Sequence, residues 1–289
     1  MNAVGEKKNG LFQIFLWIVF GIAILAIVLP MMNIISISLS GKGPISRGEV
    51  GLFPEEFTLD AYARVFSNHN IVYSMGYSIV LTLAKAALSI GVTILAAYPL
   101  SKNYLFGRKF LMLIITVTMY VSAGTIPTYL LMRDLHLLNT VWVLLIPGML
   151  STFNLIILRS FFSSLNPSLF DAAYIDGCGE WRAMVRIAVP LSLPSIFTLT
   201  LFYAVSRWNG VTDVIYYISD PKLNTLQYQL KLMLDTLSLP PEFGEVVRDI
   251  TPENVKSATV VFAMVPMIII YPFVQKYFTK GVMIGGVKE

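Results

Sequence analysis

Long stretches without any charged residue constrain this 289-residue chain more than any other feature. Five stretches contain no Asp, Glu, Lys or Arg, and they are 33, 23, 24, 20 and 19 residues long. They are residues 9–41, 110–132, 135–158, 187–206 and 257–275. A sixth apolar stretch, 71–100, holds a single charge, Lys85. Because about 20 apolar residues cross the ~30 Å core of a bilayer as a helix, the chain is predicted to be an all-α transmembrane protein with six spans.

The predicted spans define one membrane domain. They are residues 11–39, 71–100, 110–132, 137–158, 190–208 and 257–275, approximately, within a domain 11–289 that follows a short segment 1–10. A content of 56% hydrophobic and 13% charged residues excludes an ordinary soluble domain. The first apolar run is too long for a signal peptide, whose apolar region has about 7–15 residues before a cleavage site. We therefore expect the first run to be a true span.

The placement of basic residues predicts the orientation of the chain. With six spans, both termini lie on the same side of the membrane. If that side is the cytoplasm, the inner segments carry 11 Lys and Arg in 65 residues, and the outer segments carry 9 in 89. This bias of 17% against 10% follows the positive-inside rule. We expect both termini and residues 159–190 in the cytoplasm, and a long loop, about 211–255, on the outer side.

A polar stretch between the fourth and fifth spans reads as two short helices. Asn166 is a good N-cap, Pro167 suits the first helical position, and Gly177 can adopt the left-handed conformation that ends a helix. Two adjacent alanines give the first helix a nearly flat side, and a second helix is expected over about 180–189. Such a loop is either an ordinary connection or a helix shaped to sit in a groove of another protein.

The same stretch carries a motif. The pattern D-A-A-x-x-x-G, nine further residues and then I-x-V-P resembles the cytoplasmic signature of ABC importer permeases, E-A-A-x-x-x-G-x9-I-x-L-P. Asp171 replaces Glu and Val189 replaces Leu. The runs AAYPLSKNYLFGRKFL, GTIPTYLLMRDLHLLNTVWVLLIPG, LFYAVSRWNG and KGVMIGGVKE also resemble the carbohydrate-importing branch, most closely its aldouronate- and alginate-type permeases. Together these matches run from about residue 70 to the end.

This resemblance implies a type I importer fold with six spans and a cytoplasmic coupling helix, within a coupling segment 166–189. The residues carried over for contact with the ATPase are Asp171, Ala172, Ala173, Gly177, Ile187 and Pro190. The implied partners are a second homologous permease, two ATPase subunits, an extracytoplasmic solute-binding protein that contacts the long outer loop, an oligosaccharide and membrane lipid, with no nucleic acid. The implied place is the cytoplasmic membrane of a bacterium.

The chain itself shows no catalytic or nucleotide-binding motif. It lacks a G-x-x-x-x-G-K-[ST] phosphate loop, so ATP and Mg²⁺ are expected on the separate ATPase chains. His69, His136 and Cys178 do not have the spacing of a metal site, and one cysteine excludes a disulfide within the chain. We therefore expect a transport subunit that is not an enzyme and carries neither a cofactor nor a metal.

Aromatic and amide side chains within the spans are candidates for the sugar path, because sugars are bound by aromatic stacking and amide hydrogen bonds. These candidates are Tyr120, Trp142, Asn154, Tyr203, Trp208 and Asn209; aromatic side chains near span ends also collect there as interfacial belts. Lys85 is a further candidate, since an ammonium inside a span is costly and usually faces a partner, a cavity or water. Lys85 either snorkels outward or faces the path and binds carboxylates of an acidic sugar.

Three other classes of function stay open on the residues alone. An ABC permease for another small solute would share the coupling motif but not the other matched runs. A proton-driven secondary carrier would need carboxylates within its spans, and the charge-free stretches contain none. A membrane enzyme acting on lipid-linked sugar would need an acidic or histidine cluster at one membrane face. The carboxylates Asp171, Asp176 and Glu180 at the inner face already belong to the coupling segment.

Overall fold

The computed structural model describes residues 10–235 and 253–286, with side chains for 12–235 and 253–271. Every regular element in these residues is helical. The helices are α1 (Gly10–Ser38), α2 (Lys42–Ser46), α3 (Asp60–Ser67), α4 (His69–Ser101), α5 (Arg108–Val117), α6 (Thr125–Asp134), α7 (Val141–Leu145), α8 (Thr152–Ser164), α9 (Pro167–Ile175), α10 (Glu180–Ala183), α11 (Val189–Leu191), α12 (Leu193–Trp208), α13 (Thr212–Tyr217), α14 (Leu226–Asp235) and α15 (Glu253–Gly286). A π-helical turn, Met184–Ala188, joins α10 to α11.

Three helices of the described residues are long and apolar enough to cross a membrane. They are Phe12–Ser38 in α1, His69–Ser101 in α4 and Glu253–Tyr271 in α15, and they coincide with the first, second and sixth predicted spans. A fourth candidate is a bent pair, Glu180–Leu191 with Leu193–Trp208, whose two parts meet at 83°. α1 is apolar all round and exposes most of its large side chains, as expected of a helix surrounded by lipid.

The third and fourth predicted spans are each divided between two helices. The third is divided between α5 and α6, and Gly124 takes a φ of +86° directly before α6. The fourth is divided between α7 and α8 at Pro147 and Gly148. Pro147 has no N–H with which to extend α7, and Gly148 takes the left-handed conformation (φ +65°) that ends a helix.

The fifth span also begins later than predicted. α12 starts at Leu193, not at residue 190, because the chain turns at Ser192 (φ −102°, ψ 9°). Pro190 lies in the preceding short helix α11. Pro194 occupies the first turn of α12, where the missing N–H leaves no hydrogen bond unmade.

The described residues divide into two compact units, one within Met1–Val72 and Leu230–Met264, the other within Tyr73–Gln229 and Val265–Glu289. In the first unit, the segment after α1 folds back on the end of that helix. Ser36 Oγ donates to the carbonyl of Leu52 at 2.6 Å, and Asn33 Nδ2 donates to that of Gly51 at 2.8 Å. These bonds give the segment after the first span a defined conformation.

The described residues of the second unit form two apolar clusters, and α4 contributes to both. One cluster includes the end of α4 at Ala97–Leu100 and buries side chains of α8, α10 and α12, among them Leu158 and Leu199. The other includes Leu81 of α4 and buries α7 with Val214 of α13. Two polar sites, described below, adjoin these clusters: one at the end of α4 and one at its middle.

Candidate functional site

The predicted coupling segment is a capped helix followed by a glycine turn. Asn166 precedes α9, and its Oδ1 accepts the backbone N–H of Ser168 at 3.1 Å. Pro167 is the first residue of α9, as predicted. The backbone N–H of Gly177 donates to the carbonyl of Tyr174 at 3.0 Å, and its φ of +76° turns the chain away from the helix.

The residues carried over from the coupling motif lie at or near the surface. Asp171, Ala172 and Gly177 are exposed, and Ala173 is half-buried. Ile187 is half-buried in the π-helical turn and packs on the apolar cluster at the end of α4. The part of the motif in α9 is thus largely exposed, whereas Ile187 packs against the apolar cluster.

Later in the same segment, Glu180 of α10 accepts hydrogen bonds from three tyrosines. Tyr98 Oη donates to its Oε2 at 2.9 Å, and Tyr174 Oη donates to its Oε1 at 2.8 Å. Tyr104 Oη also donates to Oε1. Burial, followed by these bonds to the carboxylate, raises the pKa values of Tyr104 and Tyr174 above that of free tyrosine. These two phenols therefore stay protonated and keep donating.

Lys102 lies beside this group. Its Nζ stands 3.6 Å from the centroid of the Phe170 ring and 4.7 Å from that of Tyr98, distances at which a cation is attracted to an aromatic face. Burial lowers the pKa of Lys102, with Glu180 and Asp171 opposing that effect. A cation and an anion thus join α9 to the end of α4.

At the middle of α4, Lys85 is bound to the break in the fourth predicted span. Its Nζ donates to the carbonyls of Leu145 and Pro147, at 2.6 Å each. These carbonyls lie where α7 ends. Irregular backbone at membrane depth requires such partners, because lipid supplies none. Lys85 is 7% exposed, so its first role is to satisfy the interrupted helix.

A second buried cation lies at the end of α12. Arg207 is 7% exposed, and its Nη1 and Nη2 both donate to the carboxylate of Asp213, the latter at 3.1 Å. Nη2 also donates to the carbonyl of Gly210 at 2.9 Å. Within the described residues, Arg207 Nε has no hydrogen-bond partner. Both terminal nitrogens of the guanidinium are thus bonded within the fold, and Nε is buried beside them.

These two cations line one cavity. It has a volume of about 390 Å³, and its walls include Lys85, Arg207 and Asp213 with Tyr203 and Asn209. Two cations and one carboxylate give this wall a net positive charge. More than half of its lining residues are polar or charged, and convergent polar groups in a concave site fix the orientation of a bound small molecule.

The structure brings together three of the candidates predicted for the sugar path. Lys85, Tyr203 and Asn209 line the cavity. Tyr203 is nevertheless tied into the fold, because its Oη contacts Thr93 Oγ1 at 2.8 Å and accepts the backbone N–H of Ser151 at 3.0 Å. Four other candidates lie elsewhere: Asn154 and Trp208 are buried away from the cavity, and Tyr120 and Trp142 are exposed.

Sequence reasoning missed Arg207 and Asp213, and it missed the tyrosines around Glu180. The first pair carried a signal, since opposite charges six residues apart flank Gly210 at the end of a charge-free run. The prediction separated them, with Arg207 in the fifth span, 190–208, and Asp213 in the outer loop, about 211–255. Tyr98 and Glu180 are 82 residues apart, and nothing in the one-dimensional pattern links them.

Comparison with known proteins identifies the family. Residues 3–284 match the family described as binding-protein-dependent transport system inner membrane component. The chain belongs to this family. The resemblance found in the coupling motif is thereby confirmed, and the chain is a permease with the all-helical fold of ABC importers.

The permease has relatives along nearly its whole length. Protein LplC of Bacillus subtilis (strain 168) is 40% identical over 263 residues, which cover 90% of this permease and 89% of LplC. The polygalacturonan/rhamnogalacturonan transport system permease protein YtcP of the same organism is 36% identical over 284 residues, covering 97% and 99% of the two chains. A chain in the crystal structure of a bacterial ABC transporter involved in the import of the acidic polysaccharide alginate superposes with a TM-score of 0.86 at 32% identity, covering 96% of the permease and 100% of that chain.

Proposed function

We propose that this permease forms one half of the translocation path of an ATP-driven importer for acidic oligosaccharides. The other half is a second, homologous permease. Two ATPase subunits bind ATP and Mg²⁺ in the cytoplasm and contact the coupling segment, and an extracytoplasmic binding protein delivers the sugar. The path switches between inward- and outward-facing states by alternating access. This chain catalyses no reaction itself.

The observation that carries the acidic substrate is the positive cavity at the middle of α4. Lys85 and Arg207 are both more than nine-tenths buried, and a cation in such a site interacts with an opposite charge far more strongly than one in water. Hydrogen bonds from a lysine or arginine to a carboxylate are about twice as strong as bonds between neutral groups. Asn209 offers an amide for sugar hydroxyls on the same wall.

The relatives support the same substrate class. Polygalacturonan and alginate, for which a relative and a solved structure are named, are polymers of sugar acids that carry a carboxylate on each unit. A neutral oligosaccharide would leave the buried cations without an added partner. Discrimination is therefore expected through the carboxylates more than through the hydroxyls, because a site built for a charged group rejects ligands that lack it.

The coupling part of the proposal rests on the exposed face of α9. Its alanines Ala172 and Ala173 leave room for close approach of another chain, and Asp171 stands beside them. The outer loop, predicted over 211–255, is proposed to contact the binding protein. Its described part contains α13 and α14, and residues 236–252 lie outside the described residues.

The test is uptake by the complex reconstituted with its own partner subunits in proteoliposomes. Tetragalacturonate and maltotetraose, matched in length, are compared for the wild type and for Lys85→Gln, which removes the charge but keeps N–H donors for the carbonyls of Leu145 and Pro147. We expect the wild type to prefer the acidic sugar. Lys85→Gln should raise KM for that sugar roughly tenfold, the effect of losing about 1.4 kcal/mol of binding.

Ser206→Ala is the matched control, because Ser206 lines the same cavity without a charge. It should leave the preference for acid over neutral sugar unchanged. Equal uptake of both sugars by the wild type would refute the acidic substrate. An equal loss for both sugars in Lys85→Gln would show that Lys85 supports only the fold.

A further inference from the structure

Glu180 is the meeting point of three segments of the chain. Its carboxylate accepts hydroxyls from Tyr98 in the last turns of α4, from Tyr104 in the connection to α5, and from Tyr174 in α9. A carboxylate offers about four lone-pair positions, so three donors occupy most of its capacity. Bonds to an ionised acceptor are about twice as strong as neutral ones. Removing this one side chain therefore releases three segments together.

Glu180 lies on the far side of the glycine turn from α9, so its hydrogen bond to Tyr174 bridges that turn. α9 ends at Ile175, and Gly177 and Gly179 precede α10. Glycines are the residues whose backbone yields most readily. Without a bridge, a displacement of α9 would be absorbed by changes in the backbone angles of this turn and would not reach α10. Tyr174 lies before the turn and Glu180 after it, so their 2.8 Å bond closes the turn.

Lys102 strengthens the same connection from the side of α4. Its Nζ lies against the ring of Phe170, a buried residue of α9, at 3.6 Å from the centroid. It also donates to Tyr174 Oη at 3.5 Å. The Tyr174 hydroxyl thus links the ammonium to the carboxylate. Such charged networks hold two elements in one arrangement more firmly than separate bonds would.

We propose that Glu180, with Tyr98, Tyr104 and Tyr174, is the joint that carries a movement of α9 into α4. Glu180 is a positioning residue: it contacts neither the sugar nor ATP. Since α4 also bears Lys85 at its middle, a shift of its cytoplasmic end reaches the wall of the positive cavity along one continuous helix. This inference rests on the proposed coupling role of α9.

The test is the amount of ATP hydrolysed per sugar imported by the reconstituted complex. Glu180→Ala should assemble and hydrolyse ATP in response to the binding protein, while uptake falls about tenfold, as expected for the loss of charge-assisted bonds. The ratio of ATP to sugar should rise by the same factor. Lys109→Ala is the matched control, since it removes an exposed charge outside the coupling segment. Its ratio should equal that of the wild type.

A second variant covers the case in which Glu180→Ala does not assemble. Tyr98→Phe combined with Tyr174→Phe removes two donors, leaves the carboxylate and backbone in place, and should raise the same ratio by a smaller factor. If uptake and ATP hydrolysis fall together in both variants, Glu180 serves only the fold and the inference is wrong. A ratio that stays at the wild-type value in either assembled variant also overturns it.

The outcomes separate this inference from the function on which it rests. A wild-type complex that shows no ATP-dependent sugar uptake refutes both. A wild-type complex that couples normally, together with joint variants that couple equally well, refutes the joint alone and leaves the proposed importer intact.

Discussion

The cavity at the middle of α4 and the coupling segment differ in whether their polar residues are buried or exposed. At the middle of α4, Lys85 and Arg207 are buried, and each is bound to groups of the same chain. In the coupling segment, Asp171, Ala172 and Gly177 are exposed. Buried charges persist only where partners offset the loss of water, whereas an exposed surface is free to be shaped for another molecule. Substitutions should accordingly cost stability in the first region and coupling in the second.

The cavity exists because the spans around it are broken. α7 ends after five residues. The carbonyls of Leu145 and Pro147, which lack partners within a helix, accept hydrogen bonds from Lys85 of α4. An uninterrupted helix would have bonded those carbonyls internally and would have had no use for an ammonium. The charge that first seemed suited to a substrate is thus also part of the backbone's own hydrogen bonding.

Removal of Asp213 is expected to have the largest effect on stability. Asp213→Ala leaves the guanidinium of Arg207, whose side chain is 5% exposed, buried beside one backbone carbonyl. Removing one partner of a buried pair costs about 3–5 kcal/mol, and because the Asp213 side chain is 29% exposed we expect a loss of about 3 kcal/mol. Thermal unfolding of the purified complex in detergent should show the loss. The double variant Arg207→Met with Asp213→Ala should recover most of it, and equal destabilisation of single and double variants would contradict the pairing.

Removal of Lys85 comes second. Lys85→Ala leaves two buried carbonyls without their donor, at about 1–3 kcal/mol each, but it also relieves the cost of burying an ammonium. A net loss of about 2 kcal/mol follows, measured by the same unfolding experiment. Leu83→Ala on the exposed side of α4 is the control and should change stability little. An unchanged unfolding temperature for Lys85→Ala would mean that the break does not depend on it.

The difference between the two regions also explains how far the sequence could be read. α9 was predictable because its signals are local: the cap, the proline and the terminating glycine lie within twelve residues of one another. Each acts on its immediate neighbours through backbone geometry. The first, second and sixth spans were equally predictable, since a long apolar run can be recognised from local composition alone.

The breaks and the cavity were not predictable in the same way. Hydropathy does not detect a helix that ends inside an apolar run, because the run stays uncharged across the break. Pro147 and Gly148 marked the break in the fourth span, but Pro99 sits inside α4 without ending it, and Pro30 sits inside α1. The break in the fourth span is bound by Lys85, 62 residues away, and such a tertiary contact cannot be read from local sequence.

Bulky side chains on the coupling helix should give the smallest change in stability, which makes them the sharpest test of the comparison. Ala172 is exposed and Ala173 half-buried on α9, and leucine has a helix propensity close to that of alanine. The double variant Ala172→Leu with Ala173→Leu should therefore unfold within about 0.5 kcal/mol of the wild type. Its added side chains nevertheless occupy the surface proposed to contact the ATPase.

We expect the purified permease pair that carries both leucines to retain its fold and to lose the co-purifying ATPase chains. Lys109→Trp, a bulky change at an exposed position outside the coupling segment, should keep them. If the ATPase chains remained bound to the leucine variant, and sugar uptake continued, the exposed face of α9 would not be the contact that drives transport.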